Sequence, residues 1–401
     1  MLKGKTVLLG VSGGIAAYKA AALTSELTRQ GAAVHVLMTR NAVQFVTPLT
    51  FETLSGNRAL VDTFDRNFEW NVEHVALAKQ ADVFLAAPAT ADLIARLAAG
   101  MADDMLTTTF LACTCPRLVA PAMNTAMYQN PVTQRNLDTL RQLGIAVLAP
   151  GSGHLACGDQ GPGRLPEPDQ LTEALERALA PQDLAGLRVL VTAGPTCEAI
   201  DPVRFITNHS TGKMGYQTAL AAARRGARVT LISGPTALPC PQGVRLVPVT
   251  SAAQMYDAAL AEAPAADLVI KTAAVADYAP AHAADHKIKK QEGGLTLELC
   301  RTRDILAALG AAKPAGQVLV GFSMETEDLV ANSAAKLAKK KADMMVANSL
   351  RTPGAGFGGD TNVAVFLTAD GAEELPCMTK LELGDRILTR ALELRRRRLA
   401  P

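Results

Sequence analysis

The stretch Gly4-Lys5-Thr6-Val7-Leu8-Leu9-Gly10-Val11-Ser12-Gly13-Gly14 decides the fold. Thr6–Val11 is aliphatic and rich in β-branched residues, which predicts a buried strand. Ser12-Gly13-Gly14 then hands over to Ile15–Gln30, where apolar residues recur at helical spacing, and Gly31 stands at the C-terminal cap. Val34–Met38 is the next strand. A strand–helix–strand connection of this length demands parallel pairing. Val83–Ala87, Leu118–Ala120 and Val147–Ala149 continue the series toward a doubly wound sheet. The second half restarts it. Gly186-Leu187-Arg188-Val189-Leu190-Val191-Thr192 echoes Gly4–Leu9, and Gly226-Ala227-Arg228-Val229-Thr230-Leu231 echoes Gly31–Val36. The expectation is α/β: two tandem Rossmann-like, three-layer domains with mainly parallel sheets. Their boundary is placed near 181–186, giving domains 1–183 and 184–401.

Composition narrows the function. The chain has 401 residues, 49% of them apolar, and a formal net charge of +2. That balance offers no electrostatic case for a nucleic-acid partner. No apolar run approaches the ~18 residues of a membrane span. The first residues run straight into a strand, so no signal peptide is expected. Seven cysteines are scattered without zinc or C-x-x-C spacing, which predicts individual thiols in a reduced cytoplasm. Arg395–Arg398 is expected to be a solvated helix end.

In open α/β sheets, ligands sit just beyond the carboxyl ends of strands. Several polar or glycine-rich stretches fall there. Ser12-Gly13-Gly14 offers backbone N–H groups and a helix N-terminus to a phosphate, or is simply the geometry of a turn. It is not G-x-G-x-x-G, and Thr39 stands where a dinucleotide ribose would want a carboxylate. A mononucleotide such as flavin mononucleotide (FMN) is therefore favoured over NAD. Ala87-Pro88-Ala89-Thr90-Ala91-Asp92 ends a strand at the same edge, where Thr90 or Asp92 serves a ligand, caps the next helix, or both. Pro121-Ala122-Met123-Asn124-Thr125-Ala126-Met127-Tyr128 follows another strand and reads either as a turn or as Met123 and Asn124 presented to a crevice. His74 is a lone histidine whose weight depends on partners. Residues 150–166 are too rich in glycine for a helix or core strand and read as a mobile flap carrying Cys157.

In the second half, the insertion relative to the first copy falls in 193–211, at the ligand edge. It ends Thr207-Asn208-His209-Ser210-Thr211-Gly212-Lys213-Met214-Gly215, which is not a Walker A loop but suits an anion. Strands are expected at Leu268–Thr272, Val318–Gly321, Met345–Ala347 and Val363–Leu367. Lys287–Lys290 and Leu295–Leu299, on either side of Gly293-Gly294, predict a hairpin with Lys287 and Lys289 on one face. Lys336, Lys339, Lys340 and Lys341 cluster on a later helix. Lysines converging from two elements suit a triphosphate, or form a solubilising face.

Together these residues resemble a known family. Gly13–Lys19, His74-Val75, Ala87–Asp92, Pro121–Asn124 and Ala156-Cys157-Gly158 in the first half carry the likeness. So do Ala193-Gly194-Pro195-Thr196, Asn208–Gly215, Ala273–Tyr278, Lys287–Lys290 and Gly321-Phe322-Ser323 in the second. The chain is similar to the bacterial bifunctional coenzyme A biosynthesis flavoproteins. In these, a phosphopantothenoylcysteine decarboxylase is fused to a phosphopantothenate–cysteine ligase. The resemblance covers nearly the whole chain. Thr211 stands where relatives often have Ser, and Thr302-Arg303-Asp304-Ile305 where they often have Asn-Pro-Asp-Ile.

The resemblance implies a flavodoxin-like first domain and a Rossmann/ribokinase-like second one. In the first, FMN would be held by Ser12, Gly13, Gly14, Thr39, Ala87, Pro88, Ala89, Thr90 and Met123. His74 would act as base while the flavin oxidises the cysteinyl thiol to a thioaldehyde. Asn124 would orient the carboxylate that leaves as carbon dioxide, and Cys157 would supply the late proton. In the second, CTP with Mg²⁺ would activate 4′-phosphopantothenate as an acyl-cytidylate, which the cysteine amine then opens. Asn208 and Lys287 would be catalytic there, and Asp277 would hold the cation. Lys271, Thr272, Ala273, Asp277, Arg303, Asp304, Ile305, Leu306, Phe322, Lys336 and Lys340 would line the nucleotide site. The implied assembly is a dodecamer of flavin-domain trimers with paired ligase domains and the flavin at a subunit interface. An NAD(P)-dependent oxidoreductase is the alternative enzyme, and a flavin-binding regulatory protein the alternative class. A yellow protein with a flavin spectrum argues against the former; the presence of His74, Asn124 and Cys157 argues against the latter.

Overall fold

The computed structural model describes all residues except 1, 65–71, 156–157, 290–293, 326–328, 350–358 and 400–401. The chain forms two compact units, residues 1–180 and 181–401.

The first unit is built on β1 (Thr6–Val11), β2 (Ala33–Met38), β3 (Val83–Ala89), β4 (Arg117–Pro121) and β5 (Ala146–Val147). All pair in parallel, in the order β2-β1-β3-β4-β5. Alternate residues of β1 serve opposite faces, as the pleat requires. Val7, Leu9 and Val11 pack with Leu23, Leu27, Leu171 and Leu175, whereas Leu8 packs with Phe84, Leu93, Phe110 and Leu137. Helices therefore cover both faces. The first helix is Ala17–Arg29, and Gly31 beyond it has φ +84°, which only glycine adopts without cost. Residues 150–166 hold a two-stranded antiparallel ribbon, β6 (Gly151–His154) and β7 (Gln160–Arg164), apart from the main sheet.

The second unit's sheet uses β8 (Arg188–Ala193), then, beyond the hairpin of β9 (Cys197–Ala199) with β10 (Phe205–Thr207), β11 (Arg228–Ser233), β12 (Val244–Pro248) and β13 (Leu268–Lys271). After the pair β14 (Tyr278–Pro280) and β15 (Leu299–Arg301), it continues with β16 (Val318–Glu325) and β17 (Met344–Ser349). β18 (Thr361–Asn362) and β21 (Met378–Thr379) pair separately, around β19 (Ala364–Thr368) and β20 (Gly371–Glu374). The order is β12-β11-β8-β13-β16-β17-β19-β20, parallel through β17 and antiparallel beyond it. The hairpin expected from Lys287–Lys290 with Leu295–Leu299 is not formed as read. Lys287–Lys289 is irregular, residues 290–293 lie outside the described residues, and the antiparallel pairing falls at Tyr278–Pro280 with Leu299–Arg301. Asp201 and Arg204 hold the Ile288 backbone instead, through its amide (3.1 Å) and its carbonyl (3.0 Å).

One device recurs in both units. Ala81-Asp82, Ala266-Asp267 and Ala342-Asp343 each precede a strand. Each carboxylate accepts the amide at the start of a neighbouring strand: Thr6 for Asp82 (2.8 Å), Arg188 for Asp267 (2.8 Å) and Leu319 for Asp343 (2.7 Å). Each is also paired with a cation, which adds to the expectation for the C-terminal arginines: Arg396, Arg397 and Arg398 are exposed, as a solvated helix end requires, but three of the four also pair with carboxylates. Arg395 binds Asp267, Arg397 binds Asp370 at 2.7 Å, and Arg398 binds Asp343. The helix Lys380–Leu399 thus ends in solvent with its arginines tied to these acceptors.

Candidate functional site

In each unit the strand order reverses at one place, β1/β3 in the first and β8/β13 in the second. Both reversals open a crevice at the carboxyl edge. At the first, the Ser12 hydroxyl donates to the Pro88 carbonyl at 2.8 Å and accepts from the Thr90 amide at 3.0 Å. Among the described residues nothing accepts from the amides of Gly13, Gly14, Ile15 and Ala16, and the following helix has no side-chain cap. A Cβ on Gly13 would come within 2.4 Å of the Asn41 Cβ. A glycine cradle with open amides at a helix N-terminus is the donor set a phosphate requires. Thr39 is buried at the same edge, its hydroxyl accepting the Ala42 amide at 3.2 Å.

Two cavities of about 540 Å³ each adjoin here, sharing Gly13, Thr90, Ala91 and Met127. Ser12, Thr39 and Asp92 border the first; Gly14, Pro88, Met123 and Asn124 border the second. Thr90 also caps its helix, accepting from the Leu93 amide at 3.3 Å, so its two readings coexist. Ala87 and Ala89 do not present side chains to either cavity; their methyl groups are buried on opposite faces of the sheet. Arg96, held by Asp103 and by Asp104 at 2.8 Å, borders the first cavity and stood in no motif.

Asn124 caps the short helix Thr125–Gln129, its Oδ1 accepting from the Ala126 amide at 2.8 Å. Its Nδ2 donates to Asp159 of the ribbon. The ribbon lies tightly against this segment: the Met123 amide donates to the Gly163 carbonyl at 3.0 Å, and a Cβ on Gly163 would meet the Met123 carbonyl oxygen at 2.2 Å. Cys157 lies outside the described residues, but its flanks are tied together, Leu155 N–H to the Asp159 carbonyl at 2.8 Å. His74 is half-buried at the start of the helix Glu73–Gln80 and lines neither cavity. One copy of the chain thus brings Asn124 to the ribbon but does not place His74 beside it.

At the second crevice, the Ala274 amide donates to the Gly194 carbonyl at 2.9 Å and the Ala276 amide to the Thr196 hydroxyl at 3.0 Å. Asn208 crosses the gap, its Nδ2 donating to the Val275 carbonyl at 3.1 Å. A cavity of about 460 Å³ is bordered by Asn208, Thr272, Ala273, Phe322 and Lys336. A neighbouring one of about 420 Å³ is bordered by Arg303, Asp304, Ile305 and Leu306. Lys271, Val275 and Asp277 belong to both. Burial pulls the Lys271 ammonium down to about 8, against the favourable charges of Asp304 and Asp277. Lys340 pairs with Asp304, which also caps its helix by accepting the Ala307 amide at 2.9 Å. Arg303 stacks on Tyr256 at 3.9 Å and binds Asp257. Ile305 and Leu306 are buried in the core, so only their backbone is available to a ligand. Lys287 is exposed and lines neither cavity. Its expected place beside Asn208 and Asp277 is not observed, because the Ile288 backbone is held by Asp201 and Arg204. Among the described residues no group of three or more His, Cys, Asp or Glu is arranged to hold a metal. A lone carboxylate such as Asp277 still suits Mg²⁺, which commonly keeps waters and takes phosphate oxygens.

The comparisons with known proteins match this division. A family model described as Flavoprotein matches residues 1–180, and one described as DNA/pantothenate metabolism flavoprotein C-terminal domain matches 184–394. The coenzyme A biosynthesis bifunctional protein CoaBC of Bacillus subtilis (strain 168) is 52% identical, covering 97% of this chain and 97% of its own. That of Vibrio vulnificus (strain CMCP6) is 47% identical, over 96% and 97%. That of Escherichia coli (strain K12) is 44% identical, over 99% and 100%. With two crevices of the expected kind and likeness along almost its whole length, the chain belongs to the family of bifunctional coenzyme A biosynthesis proteins.

Proposed function

We propose that the chain performs two consecutive steps of coenzyme A synthesis in the cytoplasm. The second unit ligates 4′-phosphopantothenate to cysteine at the expense of CTP. The first decarboxylates the product, 4′-phosphopantothenoylcysteine, to 4′-phosphopantetheine. The observation that carries this reading is the pair of switch-point crevices, one with open amides and one with buried and half-buried lysines.

Ser12, the Gly13–Ala16 amides, Thr39, Pro88, Thr90 and Met123 hold FMN in this reading. FMN, when bound, supplies the capacity to take a hydride from the cysteinyl unit and return it. Asn124 fixes the substrate carboxylate, and its bond to Asp159 ties that act to the position of the ribbon. His74 takes the thiol proton, and Cys157 gives a proton to the final carbanion equivalent. Since His74 lines neither cavity of its own copy, it serves the site of a neighbour in this reading. Ile15 and Tyr18, 63% and 59% exposed on the rim, are apolar surface such a neighbour would cover. The assembly is then a dodecamer of flavin-unit trimers with paired ligase units.

In the second unit, Lys271, Lys336 and Lys340 would face the triphosphate, Asp277 would hold Mg²⁺, and Phe322 and the 303–306 backbone would border the nucleoside. Asn208 positions the acyl group. Lys287 reaches the transferring phosphorus only if its segment approaches on substrate binding or comes from a paired copy. The six described cysteines are free thiols, which agrees with a reducing compartment. The test is one assay with 4′-phosphopantothenate, cysteine and CTP, following CMP, pyrophosphate and carbon dioxide. Equal yields of all three are expected; carbon dioxide without CMP, or hydrolysis of CTP without cysteine incorporation, contradicts the reading.

A further inference from the structure

The second unit has another recess at the amino edge of its sheet, where the strands begin. Arg188 and Arg228 are the first residues of β8 and β11, and Arg245 is the second of β12. The parallel register sets Arg228 beside Arg188, and Arg245 beside Thr230. Side chains alternate along a strand, so all three arginines rise from one face of the sheet. Farther along the strands that face is filled by Leu190, Ile232, Met255 and Ala259, the last two from the helix Ala252–Glu262. At the strand starts a cavity of about 490 Å³ opens, bordered by the three arginines, Thr230, Glu262 and Ala266. It shares no bordering residue with the two cavities of the carboxyl-edge crevice. The charges around it do not balance. Arg245 pairs with Glu262 and donates to the Thr230 hydroxyl at 3.2 Å. Among the described residues, no acceptor meets the guanidinium of Arg188 or of Arg228. Asp267 takes the Arg188 amide at 2.8 Å, but its ion pair is with Arg395. Neighbouring strands lie about 4.8 Å apart, so two like charges are rooted side by side. Elsewhere in the unit arginines are neutralised, Arg204 by Asp201, Arg225 by Asp183 and Arg303 by Asp257.

We propose that this amino-edge recess binds a phosphate-bearing small molecule, apart from the site of ligation. Three arginines against one glutamate leave two positive charges on its border, the complement of a phosphate dianion. Guanidinium groups present paired N–H donors that match phosphate oxygens. The Arg188 and Arg228 guanidiniums take the phosphate between them, which turns their mutual repulsion into a shared attraction. The Thr230 hydroxyl and Arg245 stand on the same face for the remaining oxygens or for the rest of the molecule. A recess of this volume falls within the range of small-molecule sites, about 300–1,000 Å³, and exceeds what a bare phosphate fills. Its position at the opposite ends of the strands from Asn208 and Lys271 keeps the ligand out of the chemistry of the carboxyl-edge crevice. The inference does not depend on which reaction that crevice performs.

The experiment labels arginines of the full chain with phenylglyoxal and reads each position by peptide mass spectrometry. Inorganic pyrophosphate at saturation should slow labelling of Arg188 and Arg228 by about tenfold or more. The exposed Arg135 and Arg386, which border no part of the recess, should be labelled at their usual rate. The pyrophosphate concentration that half-protects Arg228 gives the Kd. It should rise about tenfold in Arg188→Met, an exposed position where folding is not at stake. It should fall about two- to fivefold in Glu262→Gln, which removes the one opposing charge. Ribose 5-phosphate, used in a parallel arm, separates the sources. Protection by it as well assigns the phosphate of an organic ester; protection by pyrophosphate alone assigns an inorganic polyphosphate. Unslowed labelling of Arg188 and Arg228 overturns the proposal, as does equal slowing at Arg135 and Arg386. An unchanged Kd in Arg188→Met overturns it too.

Discussion

At the β1/β3 crevice, Ser12 ties the two strands together and leaves a row of backbone amides open. At the β8/β13 crevice, backbone bonds such as Ala274 to Gly194 close the same gap, and the surroundings carry Lys271, Lys336 and Lys340 with Asp277 and Asp304. The topology is shared, but the electrostatics are not. Neutral, fixed donors suit a monophosphate cofactor that stays through many turnovers. Flexible ammonium groups balanced by carboxylates suit a triphosphate that is bound, cleaved and released. Identical positions in two related sheets thus perform different chemistry because of the residues at the rim.

The largest expected effects separate the units. Cys157→Ser should lower formation of the reduced product by about 10²–10⁴-fold and let an oxidised, decarboxylated intermediate accumulate. Lys287→Gln should lower CMP formation by a similar factor. Product chromatography decides both, and full ligation by Lys287→Gln would move that role to another lysine.

Next comes pH. With Lys271 titrating at about 8, its charge is present below that value and lost above it. The kcat/KM for CTP should fall as pH rises through 8, by about tenfold per unit once past it, and Lys271→Met should remove the inflection. Decarboxylation should show no matching step at that pH.

Gly13→Ala should weaken flavin retention, by about tenfold if Asn41 yields about 1–3 kcal/mol of strain. Flavin absorbance after dialysis reads this out, and undiminished colour would show the cradle to be looser than the 2.4 Å approach implies.

The smallest expected effects concern stability. Asp82→Ala should cost about 1–3 kcal/mol by orphaning the Thr6 amide. Hydrogen bonding from Lys5 and then from Thr6 holds the Asp82 carboxyl below its usual range. Its contribution is therefore present at neutral pH and fades only as pH falls through that depressed value. Denaturant unfolding at neutral and acid pH checks the sign.

The strands and their tandem order followed from aliphatic runs and glycine positions alone, because parallel buried strands are written plainly in apolar residues. The rim was harder. Thr90 and Asn124 are caps as well as candidate ligands, and a cap looks the same in sequence whichever duty it carries. Lys287–Lys290 alternates like a strand, but its pairing depends on Asp201 and Arg204, more than eighty residues earlier. The triplet Ala-Asp-apolar, seen before β3, β13 and β17, was present throughout as a repeat, and only the hydrogen bonds give it meaning. His74 is the extreme case, because its proposed partners lie on another copy.

The most direct measurement of the central claim uses protein stripped of flavin and supplied with 4′-phosphopantothenate, cysteine and CTP. CMP release should continue while carbon dioxide release stops, and added FMN should restore carbon dioxide alone. Loss of both activities on removing the flavin, or carbon dioxide release without it, would contradict two independent crevices with separate chemistries.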